Sequence, residues 1–370
     1  MKKFVGTTIV CLYLCFLFVT GASAQDKKAT FTGFEAPGAG AGAYQGTFAY
    51  SVNTAGVVAG SYFDASNVFH GFVRAANGAI TTFDAPGAGT GGEQGTVALG
   101  INTAGTITGT YLDPNSAYHG FVRAANGAIT KIDVPGAGTR AYQGTYAESI
   151  NTAGAIAGVY ADTNGAWHGF VRGAHGAITT FDVPGTGTGA GQGPVSACIN
   201  ASGIIAGMYN DASNVLHGFV RAANGTITTF DAPGAGTGRN QGTYVLGINS
   251  AGAIAGSYSD SSNAFHGFVR AADGTIITFD APGADASKGG TSAESIDRTG
   301  AVAGVYYDAN GVGHGFVRAA NGMITAFEGP GVGRGPGQGI AESSCINNAG
   351  AIAGWYFDSN NNEHGYLLTP

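Results

Sequence analysis

Apolar residues along this chain fall in runs of four to eight positions, alternate with small or polar ones, and stop at Gly, Asn or Asp. Between Gln143 and Asp182 four such runs follow one another: Gly-Thr-Tyr-Ala-Glu-Ser-Ile, Ala-Ile-Ala-Gly-Val-Tyr, His-Gly-Phe-Val-Arg and Ala-Ile-Thr-Thr-Phe-Asp. Short runs rich in Val, Ile, Thr, Tyr and Phe predict β-strands, and no helical period appears anywhere. Asn-Gly at Asn77-Gly78, Asn126-Gly127, Asn224-Gly225 and Asn321-Gly322 predicts tight hairpins, because both residues tolerate positive φ.

The four runs repeat. His followed by Gly and an aromatic recurs at His70, His119, His168, His217, His266, His314 and His364, at steps of 49, 49, 49, 49, 48 and 50 residues. The prolines Pro37, Pro86, Pro135, Pro184, Pro233, Pro282 and Pro330 keep the same step. Four antiparallel strands per unit make one blade, so the expected fold is an all-β, seven-bladed β-propeller. The last copy stops after a third strand, His364 to Leu368, while Thr30-Phe-Thr-Gly-Phe-Glu-Ala-Pro-Gly matches the fourth strand and following turn of the other copies. Pairing of that N-terminal strand with the C-terminal blade is the predicted closure. A β-solenoid is the runner-up, although an open array would call for dissimilar polar caps at its ends.

Composition fits strands and turns: 66 glycines, few charges, and 16 basic against 23 acidic residues for a net charge of −7. That balance argues against a nucleic-acid partner. Lys2 and Lys3, the apolar run Phe4–Val19 and the small-residue site Ala22-Ser23-Ala24 read as a signal peptide over 1–24, leaving 25–370 as one secreted domain with no membrane span. Cys198 and Cys345 occupy one repeat position with Ser51, Gly100, Ser149, Gly247 and Ser295, which reads as a small-volume requirement. They lie three units apart, so free buried thiols are expected rather than a disulfide.

The Ile-Asn-x-x-Gly-x-Ile-x-Gly-x-Tyr, His-Gly-Phe and Asp-x-Pro-Gly elements together resemble the bacterial HAF family of extracellular repeats, over the whole of 25–370. The family is named for His-Ala-Phe, here His-Gly-Phe in six copies and His-Gly-Tyr in the last. The resemblance implies a secreted bacterial protein and supplies no catalytic residues.

In a repeat protein, a residue present in every copy is explained most simply by the blade, and one that breaks the pattern is free to serve function. By that test the seven histidines are structural, each expected to bond the loop acid six residues earlier, as Asp64 with His70 and Asp113 with His119. Blade symmetry would hold them too far apart to share a metal ion. The loop acids read as Asx-turn formers rather than calcium ligands. The Pro-Gly-Ala-Gly segments lack the following helix of a phosphate loop and read as crossings between blades. No Gly-x-Ser-x-Gly nucleophile elbow occurs.

Two sets of residues break the pattern. Glu148 and Glu294 stand where other copies carry Tyr50, Leu99, Ala197 and Leu246, with Glu342 nearby in the last copy. Beside a channel they would serve as catalytic acid and base if about 5–9 Å apart, and otherwise as a solvated lining. The crossing loops vary more, carrying Tyr44, Glu93, Tyr142, Asn240 and Lys288 before or near the recurrent Gln-Gly, with Arg140, Arg239 and Arg334 close by. These eight are the expected ligand-binding residues, on a face shared with the Asp-bearing loops. The favoured expectation is a non-catalytic module for a glycan, peptide or surface protein, needing no cofactor and no metal. A polysaccharide hydrolase or lyase and a structural envelope protein are the alternatives.

Overall fold

The computed structural model describes residues 29–370, and the leader expected at 1–24 lies outside them. The described residues form 28 strands and one short 3-10 turn, Ala286–Lys288, which falls at the one-residue deletion in the sixth copy. Strands pair antiparallel in groups of four. In blade 1 these are Gly46–Val52, Val58–Phe63, Phe69–Arg74 and Ile80–Phe83. Blades 2 to 6 span 95–132, 144–181, 193–230, 242–279 and 291–327. Blade 7 takes three strands from 339–369, and its fourth is Thr30–Phe34, antiparallel from Thr30 opposite Thr369 to Phe34 opposite Gly365. Such blades are not the coils of a solenoid, so the runner-up fold is set aside. Among the described residues no helix is long and apolar enough to cross a membrane.

Packing between blades explains the repeat. The aromatic of His-Gly-Phe is fully buried at Phe72, Phe121, Phe170, Phe219, Phe268 and Phe316, with Tyr366 in blade 7. Each such side chain contributes about 2–3 kcal/mol of apolar burial. The recurrent arginine lays its guanidinium over a phenylalanine of the preceding outer strand, as Arg74 over Phe34 at 5.0 Å and Arg123 over Phe83 at 4.7 Å. Adjacent blades touch backbone to backbone, Phe69 bridging Gly95 and Tyr118 bridging Gly144. The glycine of Gln-Gly is required there: Gly95 has φ +110 and a Cβ would overlap the Phe69 carbonyl.

An asparagine ladder links the inner strands at the end away from the crossing loops. Asn53 Nδ2 donates to the carbonyl of Asn102, Asn102 to Asn151, Asn151 to Asn200, Asn200 to Asn249, and Asn249 to Asp297. Asn347 donates back to Asn53. The Oδ1 of each asparagine accepts two backbone N–H groups of its own turn, for Asn53 those of Ala55 and Val57. Inner strands carry a bulge just before this point, between Ala49 and Ser51 in blade 1, and blade 7 carries two.

Candidate functional site

The repeated histidine is held from three sides. His70 stacks on Tyr62 with centroids 5.0 Å apart, its Nδ1 lies 2.9 Å from Asp84, and its Nε2 lies 3.6 Å from Asp64. The same set recurs at His119, His168, His217 and His266, with Glu328 serving His314 and Glu35 serving His364. The expected loop acid is there as the longer contact, and the close bond goes to a second acid at the end of the outer strand, fourteen residues after the histidine in blades 1 to 6 and Glu35 in blade 7. The loop acid's own bonds are those of an Asx turn, Asp64 Oδ1 accepting from Ser66 N at 2.8 Å and Val68 N at 2.9 Å. Donating to the Glu35 carboxylate raises the pKa of His364. Among the described residues no cluster of His, Cys, Asp or Glu is arranged to hold a metal ion.

The inner strands enclose a channel. Six isoleucines, Ile101, Ile150, Ile199, Ile248, Ile296 and Ile346, line both of its chambers and form an apolar belt between them. The small repeat position sits just above the belt and explains itself there: Ser51, Ser149 and Ser295 accept backbone N–H groups of Ile101, Ile199 and Ile346 in the next blade. Cys198 and Cys345 are free thiols, with Cys198 Sγ 3.5 Å from the Leu246 carbonyl. Burial pushes Cys198 up to about 12, with Glu148 adding to the shift.

Glu148 and Glu294 each bond a neighbouring blade. They belong to blades 3 and 6, and each braces the next blade: Glu148 Oε2 accepts from Ala197 N at 2.8 Å, and Glu294 Oε2 from Ser343 N at 2.6 Å. Burial pushes Glu148 up to about 8. Glu294 is raised by burial and then by Glu342, whose own carboxylate accepts the Trp355 indole N–H at 2.8 Å. The electrostatic pairing therefore joins Glu294 to Glu342 across blades 6 and 7. Glu363 was not foreseen. It stands where blades 1 to 3 carry Phe69, Tyr118 and Trp167, its Oε2 is buried without a partner, and burial pushes it up to about 7.

Crossing loops and Asp-bearing loops do share a face. Gln45 Nε2 donates to the Ala65 carbonyl and to Asn67 Oδ1 of its own blade, while Tyr44 N donates to the Asn361 carbonyl of blade 7. The same bonds tie Glu93 N to Asn67, Tyr142 N to Ser116 and Asn240 N to Asn214. The residue before the glutamine is thereby held left-handed: φ is +62 at Tyr44, +64 at Glu93, +62 at Tyr142 and +62 at Asn240, and blades 4 and 7 place Gly191 and Gly337 there. Tyr44 and Tyr142 nonetheless keep large side chains, 65% and 61% exposed.

Each tyrosine heads a bank of rings. Tyr44 meets Phe357 at 5.9 Å, Phe357 meets Trp355 at 5.3 Å, and Trp355 meets Phe48 at 5.3 Å. Tyr142 meets Tyr118 at 6.3 Å, Tyr118 meets Tyr146 at 3.9 Å, and Tyr146 meets Trp167 at 5.1 Å. Both tryptophans of the chain lie in these banks. Tyr44 and Glu93 also flank a cleft of about 500 Å³ floored by Phe63 and Asn67. Arg140, Arg239 and Lys288 are exposed on the same loops. Arg334 is exposed too, and its guanidinium pairs with Glu328 at 3.1 Å.

No family model and no curated protein sequence matches the chain. Among solved structures, it is similar to the BP39L lectin of Burkholderia pseudomallei at TM-score 0.54 and 8% identity, over 85% of this chain and 92% of that one. It is also similar to the fucose-recognising, six-bladed β-propeller lectin of Aleuria aurantia (TM-score 0.42, 11% identity, 81% and 94% covered) and to TolB of Acinetobacter baumannii (TM-score 0.44, 8% identity, 81% and 76% covered). The first likeness shows the fold: an all-β chain of repeated propeller blades.

Proposed function

We propose that the chain is a secreted, non-catalytic glycan-binding module, a closed seven-bladed propeller that uses its crossing-loop face. Closure is supported by the asparagine ladder returning from Asn347 to Asn53 and by the pairing of Thr30–Phe34 in blade 7. The observation that carries the binding reading is the pair of exposed tyrosines at left-handed positions. A non-glycine residue there costs of order 1 kcal/mol, and the loop demonstrably accepts glycine. Folding does not require the rings; a ligand with an apolar face, such as a pyranose, would. Phe63, Asn67 and Glu93 add to Tyr44 the mixture of ring and polar group that orients a sugar. Lectins occur on this fold, which makes the reading economical without carrying it.

The test is a glycan and peptide array probed with the wild-type protein and with a variant carrying glycine at Tyr44 and Tyr142. Glycan binding lost in the folded variant supports the module and its face. Binding that survives both substitutions removes the loop face from the proposal. The polysaccharide hydrolase or lyase stays as a second reading through the Glu294–Glu342 pair alone.

A further inference from the structure

Beyond the loop face, the opposite mouth of the channel presents a separate set of groups. The chamber on the asparagine side of the isoleucine belt holds about 270 Å³, the scale of one small ligand rather than a polymer. Its rim is built from the residue after each ladder position. There Thr54, Thr103, Thr152, Ser250 and Asn348 are neutral, blade 4 has an alanine, and blade 6 alone carries a charge, Arg298. By the symmetry test used throughout, Arg298 is the residue the blade does not explain.

Its guanidinium makes no ion pair among the described residues, in contrast to Lys131 and Arg334. The adjacent acid does not neutralise it. Asp297 turns its carboxylate into its own turn, where Oδ1 accepts Thr299 N at 2.8 Å, Ala301 N at 2.9 Å and the Thr299 hydroxyl at 2.7 Å. No Asp or Glu lines the chamber. The ladder amides are committed to neighbouring blades, so the free hydrogen-bonding groups are the Thr and Ser hydroxyls of the rim and the Asn348 amide nitrogen. Beneath them lies the apolar isoleucine belt.

We infer that this chamber is a second binding site, for a monosaccharide acid of the hexuronate class. A single unpaired guanidinium matches one carboxylate as a two-pronged donor. A ring of hydroxyls suits a polyol, and the belt offers an apolar floor to the carbon face of a pyranose. One cation among neutral groups matches a monoanion better than a phosphate dianion.

The experiment is titration calorimetry of the purified protein at low salt with sodium glucuronate, glucose, sodium acetate and inorganic phosphate, repeated with R298Q and with the double variant Tyr44→Gly/Tyr142→Gly. Arg298 is exposed and its guanidinium makes no hydrogen bond or ion pair among the described residues, so R298Q is expected to melt with the wild type. The inference expects saturable one-to-one glucuronate binding, at least tenfold weaker binding of glucose and acetate, at least a tenfold loss in R298Q, and no loss in the double variant. Absence of saturable glucuronate binding, equal binding by R298Q, or phosphate binding as tight as glucuronate overturns it. Loss only in the double variant also overturns it, by assigning the sugar acid to the loop face.

Discussion

Asn347 donates its side-chain Nδ2 to the carbonyl of Asn53 at 2.8 Å, a bond between residues 294 positions apart. The same amide accepts Ala349 N and Ala351 N through Oδ1, so one side chain shapes a turn and joins two blades. Replacing Asn347 with alanine is expected to destabilise by about 2–4 kcal/mol, since three hydrogen bonds, two of them fully buried, are lost. The converse change is available in blade 6, where Asp297 has no amide to donate. Asp297→Asn should restore the missing rung and stabilise by about 1 kcal/mol. Urea unfolding of both variants decides this, and a neutral Asn347→Ala would show that the ladder is ornamental.

The left-handed tyrosines make the opposite kind of prediction. Tyr142→Gly relieves a backbone held at φ +62 but frees the unfolded chain, and the exposed ring surrenders little packing. Its unfolding free energy should stay within about 1 kcal/mol of wild type while glycan binding on that side falls. A loss of several kcal/mol in denaturant titration would mean that the ring is there for the fold.

Buried carboxylates should make stability fall as pH rises. Glu148 titrates near 4.5 when unfolded and is pushed up to about 8 when folded, so the folded chain holds the extra proton between those values. Its share of stability is therefore whole below pH 4.5 and is lost progressively up to about pH 8. Glu148→Gln can still accept from Ala197 N and cannot ionise. It should match wild type near pH 4.5 and exceed it by about 1–3 kcal/mol at pH 8. Thermal melts of the two proteins across that range give the answer, and parallel curves would place Glu148 in contact with bulk water.

Removing the protein through Phe34 strips the fourth strand from blade 7. Phe31, stacked on Tyr366 at 4.9 Å, and Phe34, edge-on to Phe72 at 5.9 Å, go with it and leave an unpaired edge. The truncated protein should lose several kcal/mol of stability and self-associate, and a peptide of residues 29–36 should restore the melting temperature. Unchanged melting without the peptide would show that the strand is dispensable.

Strands and hairpins were legible because each alternates on its own and Asn-Gly announces its turn without help from the rest of the chain. What lay between blades was not. His70 was matched to the acid nearest in sequence, Asp64, whereas sheet register carries Asp84 beside its Nδ1. Glu148 and Glu294 matched as repeat positions, and each is taken up by a backbone N–H of the following copy, Ala197 and Ser343, a bond across units that the sequence does not announce. Glu342 reaches Glu294 because an extra residue and a second bulge shift it out of equivalence. Nothing in the Ile-Asn element signals that the asparagine Nδ2 bridges to the next copy, as Asn53 does to the Asn102 carbonyl. Tyr44 and Tyr142 were found as departures from a repeat, and their left-handed backbone has no signature in a sequence where other copies carry glutamate, asparagine or glycine at that position.

The pairing of Thr30–Phe34 with Glu363–Thr369 also fixes an order of events. A ribosome releases residue 30 first and residue 369 some three hundred residues later, so the earliest strand to be made waits through almost the whole of synthesis for its neighbour. Blades 1 to 6 hold all four of their strands locally and can pair as they emerge. The last blade cannot, and its assembly is the step that distinguishes a finished molecule from six folded units with one loose strand at the N-terminal side and three at the C-terminal side.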